Sequence, residues 1–137
     1  MKPSTKWAII VAATIIVALI AGGVILARRT QKLLPDLDAQ WAAAELVVAY
    51  YKDKRDMPPN WEALKAYYPD GAPHRKGLSF TEIQNRILID FGALPVLTKT
   101  FKNQEEIPEV IKTRSGTDAH WRDGEPNQVV NAGVQNP

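Results

Sequence analysis

Apolar and polar positions along the chain fall into three regimes. From Trp7 to Ala27 there is no charged residue, and Ala, Ile, Val and Leu dominate. From Leu37 to about Arg55 the apolar residues recur at steps of three and four. Leu37, Trp41, Ala44, Val48 and Tyr51 share one helical face, with Asp38, Glu45 and Lys52 as polar interruptions. Beyond Arg86 the period shortens to two. Residues 86–91 place Ile87, Ile89 and Phe91 on one side of a strand; Val96 to Lys102 and Glu109 to Arg114 are further strand candidates.

The first regime is 21 residues long. As a helix it would measure ~32 Å, against a hydrocarbon core of ~30 Å. Helix is also the one conformation in which a single segment satisfies its own backbone in lipid. Trp7 and Arg28-Arg29 fit interfacial anchors at its two ends. The competing reading is a cleaved signal peptide, whose apolar region usually runs only ~7–15 residues. The expectation is therefore a retained single-pass anchor with a six-residue tail before it and a linker at residues 28–35 after it. The flanking charges nearly balance: Lys2 and Lys6 on one side, Arg28, Arg29 and Lys32 on the other. A short tail in the cytoplasm and the folded part outside the inner membrane of a bacterium is the orientation expected. Thr14, Ala18 and Gly22 repeat at i+4, a small-residue stripe that permits helix–helix approach and self-association.

A small domain is expected over residues 36–126. Asp36 is a candidate N-cap for the stem helix, and Asp56-Met57-Pro58-Pro59 ends it. Asn60 then reads as the cap of a short helix over 61–68. Pro69-Asp70-Gly71, Ser115-Gly116-Thr117 and Asp123-Gly124 read as turns, the last as a hairpin. Strands this short, joined by turns, pair antiparallel. The fold class is α+β: a transmembrane helix, then an amphipathic stem helix and a short second helix packed on a small antiparallel sheet. Trp41, Tyr50, Tyr51, Trp61, Tyr67 and Tyr68 are expected to supply much of the core, and the polar residues 127–137 to fray.

Charge narrows the function. The chain has 17 Lys+Arg and 15 Asp+Glu, and both excess positive charges precede the apolar segment, so the rest is neutral. A neutral domain lacks the basic face that nucleic acid requires.

The run from Trp41 to Tyr68 resembles the end of the spine helix in type IV pilins and type II secretion pseudopilins. In those proteins an Ala-rich helix closes with a Tyr-containing turn and a Pro-bearing loop before an antiparallel sheet. The layout is similar over residues 7–68 and the detail over Tyr50 to Leu64. The resemblance implies an envelope protein that assembles through its stem. The chain departs from the family in having no Glu within its apolar segment, the charge that pilin assembly uses. The soluble part is also similar to small bacterial single-pass proteins that share the Pro-Pro-x-Trp-Glu-x-Leu loop and the Ile-Asp-Phe strand. That likeness implies no function.

Chemistry is sparse. With no Cys, thiol catalysis and Cys-ligated zinc are excluded. His74 and His120 are isolated, and Asp118, His120 and Asp123 form the densest polar patch in what reads as an exposed hairpin. Glu105 and Glu106, if extended, point to opposite sides. No catalytic residue, metal ligand or cofactor motif is assigned. The expected function is a non-catalytic, membrane-anchored structural or interaction module, self-associating or bound to a protein partner. The alternative is a glycan- or peptidoglycan-binding domain that uses Trp61, Tyr67 and Tyr68 with the basic loop His74, Arg75 and Lys76. A small membrane-associated enzyme is a third.

Overall fold

The computed structural model describes residues 5–68, 77–117 and 125–136. It divides into two compact units, Met1–Leu34 and Pro35–Pro137. Helix α1, Thr5–Lys54, runs without interruption through the position where the first unit ends. The expected linker at 28–35 is therefore helical, and Asp36 is an internal helix residue, not an N-cap. Pro35 lies inside the helix. It has no N–H to donate, which costs the helix one backbone bond without stopping it.

In the first unit, Ile10–Arg28 is 19 residues long, apolar enough to cross a membrane, and wholly unburied. The Thr14 hydroxyl donates to the Ile10 carbonyl at 2.9 Å, so this one polar side chain is satisfied within its own helix.

The second unit is built around the stem part of α1. Sequence periodicity gave this stretch one wet side, but no residue from Pro35 to Tyr51 is fully exposed. Its deepest positions are Ala39, Ala42, Ala43, Ala44, Leu46 and Val47, with Asp36 and Gln40 also buried. Leu37, Trp41, Val48 and Tyr51, the expected inner face, are half-buried. The run of alanines explains the difference: small side chains let neighbouring elements approach closely, and close approach buries the helix on more than one side.

After α1 the chain passes Met57 and Pro58, both buried, into α2, Trp61–Lys65. Asn60 caps it as expected, its Oδ1 accepting from the Ala63 N–H at 3.0 Å. Helix α3, Phe80–Arg86, was not foreseen. Ser79 and Glu82 form a reciprocal capping box at its start, and Ile83 anchors it in the core. Strand β1, Ile87–Ile89, follows directly and pairs antiparallel with β2, Ile111–Thr113. The register sets Ile87 opposite Thr113 and Ile89 opposite Ile111. These are the only two strands among the described residues.

The strand expected over Val96–Lys102 is instead a 3-10 turn, Leu94–Thr98, with Pro95 early in it. Leu94 and Leu97 are both buried, and their spacing of three suits three residues per turn. Glu105 and Glu106 also sit in a 3-10 turn, Gln104–Glu106, not in extended chain. The turn at Ser115–Thr117 is present, with Gly116 at φ 73°. The hairpin expected at Trp121–Gly124 lies outside the described residues.

The tail expected to fray is helix α4, Pro126–Gln135. Its Val130 and Val134 are buried one turn apart. Its Gly133 lies so close to Val48 that a Cβ there would stand 2.9 Å from Val48 Cγ1. The core itself is aliphatic, with Leu46, Leu64, Ile83, Ile87, Leu94, Leu97 and Ile111 fully enclosed. The aromatic residues expected to form it instead flank it, half-buried.

Candidate functional site

Three groups of side chains stand out in the second unit: the aromatic cluster, the buried polar seam and the groove at the sheet. The aromatic cluster contains the three rings assigned to a binding surface. Trp61 meets Phe80 and Phe91 edge-to-face, both at 5.9 Å and at 82° and 81°. Tyr68 meets Phe80 at 5.9 Å and 68°, and Tyr67 meets Tyr50 at 5.2 Å and 64°. This is the geometry by which rings stabilise one another through their quadrupoles. A stacking platform for sugars needs open ring faces; these rings are half-buried and turned toward each other. Their hydroxyls are engaged as well. Tyr68 donates to the Leu78 carbonyl, and Tyr67 donates to Asp53 at the end of α1. The Tyr67 bond, with Lys54 beside it, holds the Asp53 carboxyl below the usual range, and the same bond to Asp53 pushes the Tyr67 phenol up. His74, Arg75 and Lys76, the basic part of the same surface, lie outside the described residues, as do Asp118, His120 and Asp123.

The polar seam joins α1 and α4 to β2. Asn127 accepts from the Val110 and Ile111 N–H groups through one oxygen, at 2.9 and 2.8 Å, and its Nδ2 donates to the Ile111 carbonyl at 3.0 Å. Gln40 Nε2 donates to that same carbonyl at 2.8 Å. On its other side β2 faces β1, as the Asp90 N–H to Val110 carbonyl and Arg114 N–H to Arg86 carbonyl bonds show. The two amide side chains thus stand where a third strand's backbone would, closing the inner edge of β2. Asn131 donates to the Leu97 and Lys99 carbonyls, and Gln135 to that of Thr98, so α4 is also tied to the 3-10 turn. Asp36 and Arg86 form an ion pair at 2.7 Å across 50 positions of sequence, fixing α3 against α1.

A groove of about 310 Å³ at the sheet is lined by Leu88, Ile89, Asp90, Glu109, Val110 and Lys112. Leu88 is 47% exposed. Lys112 pairs loosely with Glu109 at 3.9 Å, both largely in solvent, and Asp90 Oδ1 accepts from the Ala93 N–H at 3.1 Å. No role was assigned to these residues from sequence. The signal was available: if Ile87 and Ile89 point inward, Leu88 points out.

In the membrane segment, Thr14, Ala18 and Gly22 are all exposed, and a Cβ on Gly22 would meet nothing within 4 Å. Among the described residues no three His, Cys, Asp or Glu side chains converge as metal ligands would. No family model matches this chain, and no curated protein or solved structure matches it either.

Proposed function

We propose that this chain is a non-catalytic interaction module, held by a retained single-pass anchor in the inner membrane of a bacterium, with its α+β unit on the outer side. The observation that carries the reading is how the polar groups are used. In the described part of the unit, buried polar side chains bond to backbone carbonyls and amides that join helix to sheet, and none converges on an open cavity. Catalysis needs nucleophile, base and stabilising donors within mutual reach of a substrate. The described residues of the unit assemble no such set, which supports a role for its surface. The pilin-like order of membrane helix, stem, Pro-bearing loop and sheet supports an envelope role.

Topology is the decisive measurement. The chain contains no Cys, so a single one at Lys102, an exposed position, is the sole target for a membrane-impermeant maleimide. Labelling of intact, outer-membrane-permeabilised cells, with the full-length mass retained, is the expected result. Labelling only after lysis, or a mass lacking the first segment, overturns the reading.

A further inference from the structure

We infer that the free edge of β1 is a strand-addition site, its occupant an extended segment of a partner protein in which a Lys or Arg stands two positions before an apolar residue. The inference rests on the interaction-module reading and deepens it by naming the surface and the chemistry of what docks there.

Backbone pairing selects the form of the occupant. The Asp90 N–H reaches the Val110 carbonyl at 3.1 Å, and the Arg114 N–H reaches the Arg86 carbonyl at 2.7 Å. With Leu88 opposite Lys112, these bonds make 86, 88 and 90 the positions whose backbone groups point at β2. Ile87 and Ile89 therefore turn theirs to the opposite edge. The Ile87 N–H is taken by the Ile83 carbonyl at the end of α3. The Ile87 carbonyl and both backbone groups of Ile89 have no partner among the described residues. Folded chains leave such groups unpaired where water reaches them, and an edge of this kind accepts another strand. The far edge of β2 differs: there Asn127 and Gln40 occupy the outward groups of Ile111.

Side chains select the sequence. In an antiparallel segment, the residue that exchanges both bonds with Ile89 sets its successor beside Leu88 and its predecessor beside Asp90. Leu88 is the one large apolar side chain left exposed from Pro35 onward, among the described residues, and an apolar neighbour covers it. Asp90 is exposed; its Oδ1 accepts from the Ala93 N–H, and no cation pairs with it among the described residues. The nearby cations are committed. Arg86 is held by Asp36 at 2.7 Å, and Lys112 stands 3.9 Å from Glu109. The groove beside this edge holds two carboxylates, Asp90 and Glu109, to the one Lys112. A Lys or Arg beside Asp90 is therefore favoured and an Asp or Glu repelled.

The test titrates the full-length chain in detergent with a fluorescent peptide, Ser-Thr-Lys-Thr-Val-Thr-Ser. Two relatives serve as controls: one with Glu in place of Lys, and one N-methylated at the Thr between Lys and Val, which removes the N–H that reaches the Ile89 carbonyl. The basic peptide should bind several-fold more tightly than the acidic one, the N-methylated peptide should not bind, and amide exchange at Ile89 should slow on binding. Asp90→Asn keeps an acceptor for the Ala93 N–H and should erase the preference for Lys over Glu. Leu88→Thr should weaken binding several-fold. Both side chains are exposed, so loss of fold does not account for these changes. Equal affinity for the basic and acidic peptides, binding that survives N-methylation, or unchanged exchange at Ile89 overturns the inference. Protection of Ile89 that rises with protein concentration in the absence of peptide assigns the edge to a second copy and overturns it as well. The Lys102 labelling uses no peptide, so a failure of this edge is distinguishable from a failure of the module reading.

Discussion

Replacing Asn127 with Leu tests whether side-chain amides close the edge of β2. Asn127 is 3% exposed, and Leu has a similar volume, so the substitution changes bonding far more than packing. It leaves the Val110 and Ile111 N–H groups, which reach the Asn127 oxygen at 2.9 and 2.8 Å, without an acceptor. A buried donor stripped of its partner costs about 1–3 kcal/mol, so the pair costs about 2–6 kcal/mol. Small domains sit near the low end of the usual stability of about 5–15 kcal/mol, and a loss of this size removes much of it. Gln40→Met is the control on the same carbonyl. Ile111 keeps the Asn127 Nδ2 bond at 3.0 Å, and the substitution also removes Gln40 Oε1, a buried oxygen with no donor in reach. Its cost should be within about 1 kcal/mol. Urea unfolding of the full chain in detergent, followed by tryptophan emission, gives both values; amide exchange at Val110 and Ile111 localises the effect. An Asn127→Leu chain within about 1 kcal/mol of the parent, or a Gln40→Met chain that is the less stable, refutes the reasoning.

Three further outcomes follow from single contacts. Gly133→Ala drives a methyl to 2.9 Å from Val48 Cγ1, and should lower stability by about 1–3 kcal/mol, with part recovered by Val48→Ala in the same chain; thermal unfolding measures both. Asp36→Asn leaves the Arg86 guanidinium without its carboxylate and should cost about 1–3 kcal/mol, and a double-mutant cycle with Arg86→Gln should show coupling between the two positions. Ser79→Ala should destabilise by about 1 kcal/mol through loss of the cap on α3. The Ser79 N–H, and then its hydroxyl, hold the Glu82 carboxyl below its usual range. A carboxyl lowered in the folded state stabilises above its unfolded value of about 4.3, and that contribution is lost as pH falls through the lower folded value. Stability should therefore decline below about pH 4, less steeply in Glu82→Gln, with Asp53 adding a decline of the same sign.

What the sequence made legible was local. The apolar segment, the stem helix, the Asn60 cap and the central residues of β1 and β2 each follow from neighbours within a few positions. The errors share a cause, which is that tertiary partners override local pattern. Residues 127–137 read as a frayed tail because Asn127, Asn131 and Gln135 are polar, yet those amides dock helix α4, on carbonyls 16 to 37 positions away. Val96–Lys102 read as a strand candidate, but Pro95 and the three-residue spacing of Leu94 and Leu97 favoured a 3-10 turn packed with α4. The box Ser79-x-x-Glu82 was a readable helix start that went unused, and it would have predicted α3. Asp36 was over-read as a cap: it lies inside α1, where Arg86 holds it, and Gln40 one turn on is held by Ile111.

The same principle bears on where function lies. Aromatic residues drew attention because rings are the usual material of binding sites, but in this unit they pair with one another around an aliphatic core. Amide side chains, which carry little signal in a sequence, close the inner edge of β2 and so keep it from recruiting another strand. Of the sheet's two faces, the one that carries Leu88 and Lys112 is left open by the core. There a single exposed leucine sits among charges of both signs.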